Sequence, residues 1–357
     1  MSNGTKLILV WTIIFGLMFG FLPVFFKGQT FERLHIFLFN LCAGGTIILN
    51  FTEKGKPALL FFCGALIYAI FAFFEYYLAS ILIALILFVI VERVRIKKFS
   101  FFPYIFFKNS AKVSEKFHHA SLLCLSIGLL ISAFAILDSQ YLKWVNSPKL
   151  TLNTFFLGFS FPLSLITFFA VFSFIPEDTN KFVNFLKNFC FWALNLGVII
   201  FFAFILFEIP YLELFISIVL LCSVGIVFYL HLKFGENIQQ KYILISGILF
   251  LFLTAITGII YILYYLSFEP FDHKVILKLH AVYSLYGWNL SGLIIIVRFN
   301  EFPLSFNMKK ALFIHWLTVG IIAPFGYYYE LFGIIALILY SIFLYSVFFN
   351  DNNYTKK

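Results

Sequence analysis

The sequence is poor in charge, and this scarcity is its most informative property. Only 11% of its 357 residues are charged, whereas 62% are hydrophobic, and the mean hydropathy is +1.01. Soluble domains carry about a quarter charged residues and about half apolar ones. The composition therefore excludes a soluble protein and predicts an integral membrane protein.

Patterns that mark common chemistries are also missing. The five cysteines form no Cys-x-x-Cys pair and all lie in apolar runs, which favours neither a disulfide framework nor a zinc site. No clustered carboxylates and no Ser/His/Asp arrangement stand out, so the sequence leaves enzymatic activity open. No soluble segment is large enough to form a nucleic-acid-binding domain, and the net charge of +9 is therefore not expected to serve nucleic acid.

Long apolar runs dominate the chain. Runs of about 18 to 25 apolar residues are typical of membrane-spanning helices, and they predict an all-α polytopic transmembrane bundle of about twelve spans in a single domain, 1–357. Ten spans are the alternative, because two pairs of short spans meet in very tight turns at 74–76 and near Gly326. The predicted spans are 6–26, 31–51, 57–74, 76–93, 118–138, 150–174, 184–207, 210–231, 242–266, 274–298, 309–326 and 328–349.

The basic residues predict the orientation of the bundle. Loops on the cytoplasmic side carry an excess of Lys and Arg. If both termini are cytoplasmic, 19 of the 25 basic residues lie inside and 6 outside. We therefore expect a multi-pass protein of the inner (plasma) membrane with both termini in the cytoplasm.

The longest polar connection is predicted at 93–117. It begins with basic residues, continues with aromatic ones and is interrupted by Pro103. This mixture favours the interface of an anionic leaflet, where rings enter the headgroup layer and cations meet lipid phosphates. Membrane lipids are thus expected partners.

One span differs from the rest, at Lys278–Arg298. It is long enough to cross a hydrocarbon core of about 30 Å, yet it carries several polar groups that are costly in lipid. If it is helical, they share one face, which should point inward to protein, water or a cofactor. The residues on that face are His280, Tyr283, Ser284, Gly287 and Ser291.

His35 and His280 are the strongest ligand candidates. Both lie on spans that run inward from the outer side, at depths of roughly 6 and 9 Å at ~1.5 Å per residue. Two neutral imidazoles at similar depth are a suitable axial pair for a b-type haem. Gly44 and Gly45 would let a helix or a flat cofactor approach closely, and Arg33 would pair with a haem propionate. The alternative is that both histidines only hydrogen-bond neighbouring helices.

The other histidines suggest less. His118 and His119 are expected to be a solvated or headgroup-facing pair, and His231 is expected to be interfacial. His315 lies inside the eleventh span and is the best of these for a buried role. A second, inner haem or metal site among His118, His231 and His315 stays conceivable. His273 stands in an outer loop beside Asp272.

These features resemble the subunit I superfamily of the haem-copper oxidases, which includes nitric-oxide-related membrane haem proteins. The strings His35-Ile-Phe-Leu, Gly44-Gly45 and His280-Ala-Val-Tyr-Ser are similar to segments of that family. The resemblance implies twelve helices and a low-spin haem held by histidines on the second and tenth, with Tyr283 nearby. The family's copper ligands lie on the sixth and seventh helices, and 150–207 contains no histidine. No copper centre is therefore expected.

The sequence thus predicts a membrane protein that binds one b-type haem between its second and tenth helices, for electron transfer or redox sensing with partner subunits or redox proteins. Two alternatives stay open. The first is a small-solute or ion transporter, although the spans hold almost no carboxylates at mid-membrane depth. The second is a non-catalytic subunit of a membrane complex.

Overall fold

The computed structural model describes residues 1–26, 31–145, 149–150, 154–177, 180–267, 273–305 and 307–350. Helices make up 86% of the structure, and no strand occurs in these ranges. Twelve helices are long and apolar enough to cross a membrane, which confirms the predicted all-α fold class and span count. They are α1 (Asn3–Phe25), α2 (Arg33–Thr52), α3 (Lys56–Phe73), α4 (Tyr77–Lys98), α5 (Val113–Leu142), α6 (Thr154–Ser173), α7 (Lys181–Phe207), α8 (Pro210–Phe234), α9 (Gln239–Ser267), α10 (Lys274–Val297), α11 (Met308–Gly326) and α12 (Glu330–Phe349).

The tight turn at 74–76, one of the two that left the span count open, is explained by its backbone. Glu75 stands between α3 and α4 with a φ of 62°, and Glu208 stands between α7 and α8 with a φ of 59°. A single residue in the left-handed region reverses the chain direction within a few residues. Separate helices therefore meet at 74–76. Near Gly326, a short connection likewise separates α11 from α12.

Three helices form the centre of the bundle. In α2, α6 and α10, 78% of the most apolar stretch is buried inside the protein, against at most 56% in the other helices. The central helix α10 packs against α6, α9 and the second half of α2. The other helices expose more of their apolar surface, as lipid-facing helices do, whereas Trp288, Asn289 and Ser291 of α10 are buried.

A pair of glycines brings α5 and α6 into close contact. A methyl group built on Gly128 would lie 2.3 Å from the Cα atom of Gly158. Small residues at such crossings let two helix backbones approach and gain van der Waals contact, the main attraction between helices in lipid. The α5–α6 pair is thereby locked at short distance.

The predicted interfacial loop is shorter than 93–117. Helix α4 continues to Lys98 and α5 begins at Val113, so the irregular segment covers 99–112, with a short 3₁₀ turn at Tyr104–Phe107. Phe101, Phe102, Tyr104 and Phe107 are exposed. The basic residues at 93–98 belong to the last turns of a helix, because the apolar period of α4 carries on into them.

The beginning of α1 and the end of α12 lie at one end of the bundle. Lys6 near the start of α1 binds Glu301 in the α10–α11 connection, and Arg298 donates to the carbonyl of Val347 near the end of α12. This placement agrees with an even number of spans. The cytoplasmic location of that end stays a prediction.

Replacing Gly128 by Ala tests the close helix contact. The added methyl group overlaps the Gly158 backbone, so the helices must separate, and we expect a loss of about 1–3 kcal/mol of stability. The apparent melting temperature of the detergent-solubilised protein measures it. Gly320→Ala is the control, since nothing lies within 4 Å of a methyl group there. Equal melting temperatures for the two variants would contradict the contact.

Candidate functional site

The inward face of α10 is bonded to α6 through a chain of polar side chains. The Trp288 indole Nε1 donates to Ser164 Oγ at 3.1 Å, and Ser164 Oγ donates to Asn289 Oδ1 at 2.8 Å. Asn289 Nδ2 donates in turn to Ser160 Oγ at 3.3 Å. Trp288 and Asn289 lie in a wide π-helical turn, Tyr283–Asn289. The turn presents these side chains to α6 and fixes how α10 is rotated.

His35 lies in a notch on α1. Its Nδ1 is 2.8 Å from the carbonyl oxygen of Gly16. One helical turn further along α1, a methyl group on Gly20 would lie 2.8 Å from the same ring nitrogen. The missing side chain of Gly20 therefore leaves the space that the imidazole occupies.

His280 lies in a matching notch on α9. Its Nδ1 is 2.9 Å from the carbonyl oxygen of Thr254. A methyl group on Gly258, four residues later, would lie 3.3 Å from the ring. The two histidines thus share one arrangement: a carbonyl acceptor and, four residues on, a glycine that admits the ring.

This arrangement selects a tautomer for both rings. A backbone carbonyl can only accept, so each Nδ1 must carry the proton, and each Nε2 is left with its lone pair. A histidine that binds a metal through Nε2 typically donates its Nδ1–H to such a carbonyl. Both imidazoles are therefore in the form that ligation requires.

The imidazole rings of His35 and His280 do not face a common cavity. The Tyr286 hydroxyl lies 3.0 Å from Nδ1 and 3.3 Å from Nε2 of His35. His280 instead faces α9 and, together with Ser284 and Trp288, lines a cavity. Tyr286 is directed toward α2 and α12, where it contacts Phe39 and Tyr340. The two histidines thus meet different neighbours of α10.

The cavity beside His280 lies among α6, α7, α8, α9 and α10 and has a volume of approximately 200 Å³. Its walls are mainly aromatic and aliphatic, including Phe168 and Leu251. Hydroxyl groups also line it, from Ser160, Ser164, Ser217, Thr254 and Ser284. An apolar cavity with a few polar groups is typical of sites for small ligands and cofactors.

The other predicted haem contacts have protein partners. Arg33 forms an exposed ion pair with Glu75 at 3.5 Å. Methyl groups on Gly44 and Gly45 would overlap Leu163 and Phe61, each at 2.7 Å, so a neighbouring helix occupies the space beside them. Tyr283 packs partly buried against Phe250, with ring centroids 6.1 Å apart.

The inner histidines are buried separately. His315, as expected, has a buried role: its Nε2 donates to the Tyr286 carbonyl at 2.8 Å, and its ring stacks on Phe343. His118 and His119 are 3% and 0% exposed, which corrects the expectation of a solvated pair. His231 is also fully buried.

Within the described ranges, no three His, Cys, Asp or Glu side chains form a metal-binding group. His273 begins a helix, but its side chain lies outside what the structure describes, as do 268–272.

The burial of His119 follows from a polar cluster that the sequence did not reveal. Arg95 binds the carboxylate of Glu92 through Nε and Nη2, at 2.8 and 2.6 Å, and its Nη1 donates to His119 Nε2 at 2.8 Å. Ser126 donates to the same carboxylate. The spacing of Glu92 and Arg95 was a usable signal, since side chains three apart on a helix are neighbours.

An ion network holds the end of α10. Lys6 and Arg298 both bind Glu301 Oε2, each at 2.7 Å. Burial raises the pKa of the Glu301 carboxyl, but the hydrogen bonds from the two cations outweigh it, so the pKa lies below its ordinary value. The ionised carboxylate therefore stabilises the fold.

The notches predict unequal effects of added methyl groups. Gly20→Ala places Cβ 2.8 Å from His35 and should displace the ring, at about 1–3 kcal/mol of stability. Gly258→Ala places Cβ 3.3 Å from His280, which a small shift accommodates, so we expect less than half that loss. Melting temperatures of the two variants measure the difference. The reverse order would contradict the notch at His35.

Glu301→Gln removes the charge that Lys6 and Arg298 share. Because the folded-state pKa is lowered, the carboxylate stabilises the protein above its unfolded pKa, and this contribution is lost as pH falls through the folded value. We expect the variant to be about 1–3 kcal/mol less stable at neutral pH, with the gap closing below about pH 4. Stability measured against pH checks this. Glu330→Gln, at an exposed carboxylate, is the control and should show no such gap.

Comparison with known proteins gives no relative from which to transfer a function. No protein-family model matches the chain, and neither a curated protein nor a solved structure matches it. The function of this multi-pass membrane protein must therefore be inferred from its own site, which comprises His35, His280, Tyr286 and the cavity.

Proposed function

We propose that this integral membrane protein binds a b-type haem, with His280 as the primary axial ligand, and uses it for electron transfer or redox sensing. The observation that supports the proposal is the state of the imidazole. Its Nδ1 is bound to the Thr254 carbonyl at 2.9 Å, which leaves Nε2 as the ligating atom beside an apolar cavity. A haem bound there would supply one-electron chemistry through its iron.

The residues around His280 have separate roles in this proposal. Thr254 and Gly258 orient the imidazole, the first by accepting its proton and the second by leaving room for the ring. Phe168 and Leu251 exclude water from the cavity. The proposal includes no copper centre, since the resemblance would place copper ligands on α6 and α7, and these helices contain no histidine.

His35 fits the second axial position less well. Its ring has the same tautomer, but the Tyr286 hydroxyl lies 3.3 Å from Nε2, so this phenol must turn aside before the imidazole can bind iron. The cavity volume of approximately 200 Å³ is below the roughly 300–1,000 Å³ of common cofactor sites. Entry of a porphyrin therefore requires the aromatic walls to rotate. A haem bound by both histidines would require the Tyr286 phenol to turn aside and the aromatic walls of the cavity to rotate.

A small-solute carrier is the second candidate. It is favoured by the size of the same cavity and by the Ser160 hydroxyl, which accepts from Asn289 and keeps its own proton to donate to the edge of a compact ring compound. No iron ligand is needed in this case, and His280 serves as a hydrogen-bonding group. Trp288 lines the cavity and gives a fluorescence signal for occupancy.

The absorbance spectrum of protein purified from haem-supplied cells tests the proposal. We expect a Soret band that His280→Ala abolishes and that a control variant at a remote buried imidazole, His231→Gln, retains. Loss of the band in His35→Ala as well would indicate two histidine ligands, and its retention would indicate His280 alone. Colourless protein that is folded by its melting curve would reject haem. Quenching of Trp288 fluorescence by 1,4-naphthoquinone, absent in Trp288→Phe, would then favour the solute site.

A further inference from the structure

A groove runs along the outside of the bundle between α1 and α3, with α2 as its floor. Both α1 and α3 pack on α2. At one end the groove widens into a cavity of about 430 Å³, and further along it continues as a second cavity of about 450 Å³. The two share Ile8 and Phe62 in their walls. They are therefore parts of one continuous groove.

The two parts of the groove differ in chemistry. The first part lies at the end of the bundle where α1 begins and α12 ends, and Thr5, Asn50 and Lys54 line it. The second part is almost wholly apolar. Its lining residues are Leu7, Ile8, Trp11, Thr12, Phe15, Phe19, Leu38, Phe62 and Leu66. A polar, basic mouth thus opens into an apolar channel that faces lipid.

A buried hydroxyl in the polar part has no partner. Thr46 is 2% exposed, lines the first cavity, and its Oγ1 makes no hydrogen bond to any described residue. Leaving such a group unsatisfied costs about 1–3 kcal/mol. Oγ1 is itself enclosed by the protein, so the Thr46 side chain must turn toward the cavity before its hydroxyl can donate to a ligand oxygen and remove this cost.

The charge at the mouth is positive and uncompensated. Glu53, the adjacent carboxylate, is bound to Lys97 at 2.6 Å. Lys54 is exposed and forms no ion pair within the described part of the chain. A lysine at this depth attracts an anionic headgroup.

We propose that this groove is a binding site for one anionic phospholipid, whose phosphate meets Lys54 and whose acyl chain lies along α1 and α3. Thr46 binds an ester oxygen of the glycerol backbone. The lining of α1 extends from Thr5 to Phe19, about 20 Å at ~1.5 Å per residue, which exceeds half of a ~30 Å hydrocarbon core. A single extended chain therefore fits along the groove.

Native mass spectrometry of delipidated protein tests the site with phosphatidylglycerol and phosphatidylcholine of identical acyl chains. We expect phosphatidylglycerol to be retained preferentially. Lys54→Ala should lower its affinity about fivefold and that of phosphatidylcholine by less, because the choline cation offsets the charge of the same phosphate. Lys56→Ala, at an exposed lysine outside the groove, is the control and should have no effect. Thr46→Val should lower the affinity of both lipids, roughly two- to tenfold.

A second pair of variants tests the apolar channel. Leu66→Trp fills it and should reduce retention of both lipids, whereas Ile67→Trp, on the adjacent lipid-facing position at 45% exposure, should not. Equal retention of the two lipids, unaffected by Lys54→Ala, would overturn the proposal in favour of non-specific lipid. A stoichiometric protein subunit displaced by Leu66→Trp would overturn it in favour of a partner helix. If Leu66→Trp does not fold, the Lys54 and Lys56 variants decide. The haem spectrum is independent of all of these variants.

Discussion

The absence of water inside a bilayer is the constraint on which this structure depends. A polar group there must find its hydrogen-bond partner within the protein. Helix α10 carries more such groups than a lipid-facing helix tolerates, and three neighbouring helices satisfy several of them. Its indole and amide bind serines of α6, and its Tyr286 carbonyl accepts from His315 of α11 and Tyr340 of α12.

Central placement of α10 decides the environment of the candidate ligands. His280 lies on the face toward α9 and the cavity, while Tyr286 lies on the face toward α2 and meets His35. A rotation of α10 that joined the two imidazoles would break the bonds of Trp288 and Asn289 to α6. The polar chain that fixes the helix therefore also separates the two rings.

Much of the fold was predictable because each span can be recognised from the length and hydrophobicity of its own sequence. The twelve spans and the inward face of α10 follow from local sequence alone, and the structure confirms the spans. The partners of individual side chains were not predictable in the same way. Whether His118 faces headgroups or Thr52 depends on how α5 is rotated against α2, and rotation is set by contacts between residues distant in sequence.

The glycines show why only part of the site could be predicted from the sequence. Gly44 and Gly45 drew notice as an adjacent pair, yet helices fill the space beside them. Gly20 and Gly258, which admit the two imidazoles, are single glycines in apolar runs and look like ordinary packing positions. Their role is visible only in the three-dimensional structure, where a histidine from another helix packs on each glycine and bonds to the carbonyl four residues before it.

Each of the three central helices, α2, α6 and α10, contains a wide helical turn. Within the described ranges π-helical segments occur in α2, α6, α10 and α11 and at the end of α5. Such turns have weaker hydrogen-bond geometry than an α-helix and frequently occur at functional sites. In α2 the segment Phe37–Gly45 also contains the buried Asn40, whose Oδ1 has no described partner. Backbone distortion and an unsatisfied polar atom both lower stability. Their coincidence in α2, beside the notch that holds His35, indicates that this part of the bundle is shaped by a requirement other than packing.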